Sequence, residues 1–186
     1  FSPVYTADLQ ADADSEFTVF DGNDIRLNGV ANITATDFVM GTGSIIATGD
    51  DLTVDASDID AGKLYSLIGD IRLTSQTDLD INDDVTTDID GIIELSAVDT
   101  LTMLAGAEVF SDNTLDVDAA TITMATSASL GAYKDVTITS NSGGMVLGKI
   151  DVRDNLILTA LDQNIALNAD LDAYDSLTVY ADDVTQ

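Results

Sequence analysis

The sequence predicts an all-β fold, a single-stranded parallel β-helix (β-solenoid) with three short strands per coil of about 21 residues. Three observations predict it. Apolar-polar-apolar triplets recur at a nearly constant spacing, Asp, Asn, Gly, Ser or Thr precedes them, and the single Pro stands at position 3.

The first series of triplets reads Leu52-Thr53-Val54, Ile71-Arg72-Leu73, Ile93-Glu94-Leu95 and Leu115-Asp116-Val117. It continues through Val136-Thr137-Ile138, Leu156-Ile157-Leu158 and Leu177-Thr178-Val179. A second series starts at Ile59, Leu79, Leu101, Ile122, Met145, Ile165 and Val184. A third passes through Ile25, Ile46, Leu67, Val109, Leu130, Ile150 and Leu171, at the same period or twice it.

Alternation places successive side chains on opposite faces of a strand. Strands this short form no stable hairpin sheet alone, but stacked coils pair equivalent strands in parallel ~4.8 Å apart and bury apolar ladders along the axis. About nine coils would give a rod ~43 Å long. A Pro inside such a stack would remove a ladder hydrogen bond, which agrees with its place near the start. An antiparallel β-sandwich also uses many short strands, but it does not demand a constant register. We divide the chain into residues 1–24, an N-terminal cap or contact segment holding Phe1, Tyr5, Phe17 and Phe20, and residues 25–186, the solenoid repeats. The whole reads as the mature or ordered piece of a longer product.

Gly49-Asp50-Asp51-Leu52-Thr53-Val54-Asp55-Ala56 and Asp154-Asn155-Leu156-Ile157-Leu158-Thr159-Ala160 resemble the repeats of filamentous-haemagglutinin-type exoproteins. So do Gly69-Asp70-Ile71-Arg72-Leu73-Thr74-Ser75 and Asp135-Val136-Thr137-Ile138-Thr139-Ser140. The resemblance covers roughly residues 49–184. Members of that family are large secreted right-handed β-helices that serve as adhesins or stalks, so it implies an extracellular or cell-surface location.

Composition narrows the chemistry. The chain holds 34 acidic residues against 6 basic ones, for a net charge of −28, with no Cys, His or Trp. That removes thiol nucleophiles, the usual zinc ligands and the commonest general base. Nucleic acid and anionic membrane are poor partners for such a surface, and no apolar run approaches the ~18 residues of a membrane span. Nearly all the acid is Asp, a turn former whose carboxylate accepts nearby backbone N–H groups.

The Asp residues are the candidate ligands. Columns of corner carboxylates would suit calcium, a hard cation that takes several oxygens in flexible geometry. The clusters are Asp50 with Asp51, Asp83 with Asp84, and Asp182 with Asp183; the competing reading is that each carboxylate caps its own turn. No cofactor is required by any motif. Carboxylate pairs at glycosidase separations arise by accident among so many Asp residues, and basic residues are expected to pair with neighbouring Asp. Outward positions of the first series are mixed, so no flat Thr array is encoded.

The expectation is a structural or adhesive extracellular solenoid without catalysis, acting as stalk, fibre or filament subunit. Its open ends suggest head-to-tail stacking of identical chains, and its faces could carry a surface glycan or protein ligand. The alternative is a carbohydrate-binding or carbohydrate-cleaving β-helix. A groove with clustered aromatic and basic residues would mark it, and no stretch of the sequence displays one.

Overall fold

The computed structural model describes the backbone of residues 5–6 and the chain from residue 8 to residue 186. Among these residues every element is a strand. The strands pair in parallel one coil apart. The molecule is a three-faced β-solenoid of about eight turns.

On the first face, Leu52, Ile71, Ile93, Leu115, Val136, Leu156 and Leu177 stand opposite one another in successive coils. On the second, Ile59, Leu79, Leu101, Ile122, Met145, Ile165 and Val184 do the same. Both ladders hold the predicted register at every step. Near the ends a single strand runs along both faces: Leu52–Ala61 pairs with Ile71–Ser75 through its first half and with Leu79–Ile81 through its second.

The third face is a sheet of nine strands; the eight steps between them span about 38 Å at the parallel-sheet spacing. Its ladder is Ile25, Ile46, Leu64, Val85, Val109, Leu130, Ile150 and Leu171. Leu67, which the spacing placed here, lies instead on the corner and is 42% exposed. Leu64 takes its place and Val85 fills the coil that the sequence left blank. The parallel pairing also begins ahead of residue 25. Leu9–Val19 pairs with Ala31–Met40, so the described part of segment 1–24 is a coil of the same stack. Within it Phe17 lies parallel to Phe38, with ring centroids 5.8 Å apart. Phe1, and the side chain of Tyr5, lie outside the described residues.

The corners explain the rest of the sequence. Where the first face turns into the second, the inward position is Ala13, Ala35, Ala56, Ser75, Ala97, Ala119, Ser140, Ala160 and Ala181 in successive coils. Only a small side chain fits inside so sharp a bend. Where it is Ser, the hydroxyl donates to corner carbonyls: Ser75 Oγ to Ser57 and Asp78, Ser140 Oγ to Ala120 and Gly144. At the corner after the third face, Ser66 and Ser111 do likewise, to the carbonyls of Asp50 and Gly91. Among the described residues no buried side-chain polar atom lacks a partner, as a buried hydroxyl requires.

Candidate functional site

The carboxylates serve as corner clips. Asp51, Asp70, Asp78 and Asp135 each accept, through Oδ1, a backbone N–H from the next coil: Asp70 at 2.8 Å, Ile92 at 3.0 Å, Thr100 at 3.0 Å and Asn155 at 3.1 Å. Others act within their own turn. Asp50 accepts the N–H of Asp51 and Asp83 that of Asp84. Asp90 and Asp162 adopt left-handed backbone, at φ 54° and 59°, which Asp tolerates better than most residues.

The predicted calcium ligands are placed accordingly. Asp50 and Asp51 lie between third and first faces, Asp83 and Asp84 between second and third, so the two pairs occupy different corners. Asp84 is ion-paired with Lys63 at 2.9 Å. Asp182 and Asp183 are on the last strand, Asp183 opposite Asn164. Among the described residues no three His, Cys, Asp or Glu side chains converge to hold a metal ion.

The densest charge lies at the second face instead. Glu16, Asp37 and Asp58 face one another in consecutive coils, and Asp60 faces Asp80. Burial, then the charges of Asp78, Asp80 and Asp37, push the Asp58 carboxyl above its usual range. Burial and the charges of Asp80 and Asp58 also raise Asp60, although Asn82 donates to it.

A different chemistry gathers on the third face. Arg26, Lys63 and Lys149 sit in its strands, and Lys134 and Arg153 in the corner that follows; Arg72 alone is on the first face. Tyr65 and Phe110 point outward from the same face. In the corner, Tyr133, Arg153 and Tyr174 follow one another coil by coil, each N–H donating to a carbonyl of the coil before. Phe110 meets Tyr133 edge-on at 5.1 Å, and the Arg153 guanidinium lies over the Tyr133 ring at 4.3 Å.

Gly131 makes this stack possible. It stands between Phe110 and Asp151 in the outward column. A Cβ there would come within 2.8 Å of the Asp151 carbonyl oxygen and 3.1 Å of the Phe110 ring.

This cluster corrects two expectations. Aromatic and basic side chains do assemble, because residues 20 to 23 apart in sequence become neighbours along the axis. Arg153 was expected to pair with an Asp. Among the described residues, Arg26, Lys63, Arg72 and Lys149 form ion pairs, and Lys134 and Arg153 do not. Beside it, Asp151, Arg153 and Tyr174 line a depression of about 370 Å³. A second depression, of about 380 Å³ on the first face, is lined by Glu94, Asp116 and Asp118 with hydroxyl and apolar groups, and no basic residue joins them.

No protein-family model, curated protein or solved structure matches the chain.

Proposed function

We propose that the chain is a non-catalytic structural and adhesive solenoid of the cell exterior, a stalk or fibre element that presents its faces to a surrounding medium. The observation that carries this reading is the unbroken ladder. Apolar positions stay in register on the first and second faces from residue 52 to the last described coil, and such a stack gains length without a change of plan.

Three further features support it. The inner faces form one continuous cluster of buried apolar side chains from Val19 to Ile165. The repeats resemble those of filamentous-haemagglutinin-type exoproteins. A surface of net charge −28 suits a saline or calcium-rich medium, where repulsion is screened.

Head-to-tail stacking belongs to the same proposal. In the strand Ser176–Thr185 the ladder residues Leu177, Val179 and Val184 are 49%, 38% and 47% exposed. An edge of this kind accepts another strand in the same register. Electron microscopy at low salt, then with NaCl or CaCl₂, tests it. Rods of one solenoid width are expected, joined end to end where stacking occurs; compact globules would overturn the reading. Immunogold labelling of thin sections of source cells adds the location, since label confined to the cell interior contradicts an exterior role.

A further inference from the structure

We propose that Tyr174, Arg153 and Asp151 form a subsite for a neutral saccharide. Arg153 and Lys134 are left without an ion pair among the described residues of a chain with 34 acidic residues, and of the two Arg153 is placed over an aromatic ring. Its guanidinium lies over the Tyr133 ring, which Phe110 meets edge-on from the side. A guanidinium stacked in this way keeps its N–H donors in the plane of the group, free to bond outward. The aromatic support fixes the donors before any ligand arrives, which reduces the ordering cost of binding.

The other two walls supply complementary chemistry. Tyr174 is 75% exposed, so most of its ring has no covering within the chain. Asp151 adds an acceptor, 4.0 Å from Lys149 Nζ on its own strand. The depression between them, about 370 Å³, falls in the size range of small-molecule sites. An aromatic face, a fork of donors and a carboxylate acceptor fit a ring that is apolar on its C–H face and hydroxylated at its rim.

Other ligand classes fit less well. An anion would meet Arg153 favourably but would have to approach through the field of a −28 surface. A purely apolar ligand would bury Arg153 and Asp151 without partners for their polar atoms. A saccharide satisfies both: its hydroxyl oxygens accept from Arg153, its hydroxyl hydrogens go to Asp151, and its C–H face packs on Tyr174.

The inference rests on the non-catalytic surface reading only in the sense that binding, not turnover, is its outcome. The test is saturation-transfer-difference NMR on the full chain with cello-, xylo-, manno- and maltohexaose, and a heparin hexasaccharide as anionic comparison. Transfer to at least one neutral hexasaccharide is expected, with affinity about tenfold weaker in Tyr174→Ala and in Arg153→Ala. Tyr180→Ala, an exposed tyrosine on another part of the surface, should leave it unchanged. Because Tyr174 is largely exposed, its removal leaves the core ladders intact, and circular dichroism checks this.

No transfer to any neutral oligosaccharide overturns the subsite. So does transfer that survives both substitutions, or transfer confined to the heparin fragment. Release of reducing ends during the titration, abolished by Tyr174→Ala, would uphold the subsite and overturn the non-catalytic reading, so the two failures are distinguishable.

Discussion

Asp70 bonds to two different coils at once. Its Oδ1 accepts the N–H of Ile92 at 3.0 Å while its Oδ2 meets Arg72 at 2.5 Å, and Arg72 continues to Glu94 at 2.7 Å. Here an acidic residue is stabilising, because it satisfies a corner N–H that no strand partner reaches. Asp58 is the opposite case: its nearest charges are all acidic and burial raises its pKa. The linkage sign follows. A carboxyl whose folded pKa lies above its unfolded value binds more protons in the native state across that interval. Stability therefore increases as pH falls from the raised value toward 3.8, and the charged form destabilises the fold at neutral pH. Asp58→Asn is accordingly expected to raise the melting midpoint at pH 7 in low salt. The gain should shrink as pH drops through that window, because the wild-type carboxyl is then neutral too. Melting curves of both proteins from pH 3.5 to 7 check this, and a substitution that lowers the midpoint at pH 7 would show that the hydrogen bond from the Ile59 backbone to the Asp58 carboxylate outweighs burial and the neighbouring charges.

Strand-level constraint is sharpest at the bend between first and second faces, where the inward residue is Ala or Ser in every coil. Ala119 is fully buried there, with Ser140 opposite it in the next coil. Ala119→Leu would force extra methylenes into a bend with no spare volume, and such overpacking costs about 1–3 kcal/mol. Urea unfolding of the full chain measures it; a change near zero would show that the bend can open. This small-residue ladder was present in the sequence, since its members follow the first-series triplets at a fixed offset. The two apolar ladders were legible because Leu, Ile and Val alternate with polar residues on strands fixed by turns. The third face was harder to read. In the run Lys63-Leu64-Tyr65-Ser66-Leu67-Ile68, the inward positions are Leu64 and Ser66, while the conspicuous pair Leu67 and Ile68 is on the exposed corner. One coil later the inward positions are Val85 and Thr87, and the buried hydroxyl masks the alternation. Gly62 adds to the difficulty by joining second and third faces in one residue, with Met40 and Ser44 too close for a Cβ to fit easily. The site was obscured differently. A lone Tyr133, Arg153 or Tyr174 carries no signal, and only their common phase within the coil joins them.

Over the whole molecule, charge is unevenly distributed among the faces. Five of the six basic residues lie on the third face or its following corner, while carboxylates stack in columns at the second. Two carboxylates one coil apart, ~4.8 Å, repel by about 0.9 kcal/mol even at the dielectric of water. Folding brings them into columns, whereas the unfolded chain spreads them, so the repulsion falls mainly on the native state. Salt shortens the screening length from about 30 Å at 0.01 M to about 3 Å at 1 M. The melting midpoint should therefore rise continuously with NaCl, by about 2–4 °C for each kcal/mol of repulsion removed in a chain of this size. The rise should be smaller in Asp58→Asn, which already lacks one charge of the densest column. Divalent ions separate screening from coordination. At equal ionic strength, MgCl₂ and CaCl₂ should act alike if they only screen, whereas coordination favours calcium, which accepts flexible oxygen ligands where magnesium keeps its water shell. A midpoint higher in calcium than in magnesium would assign coordination to a carboxylate pair, and substituting Asp50, Asp83 and Asp182 by Asn one at a time would locate it. A midpoint independent of NaCl would contradict the electrostatic account itself.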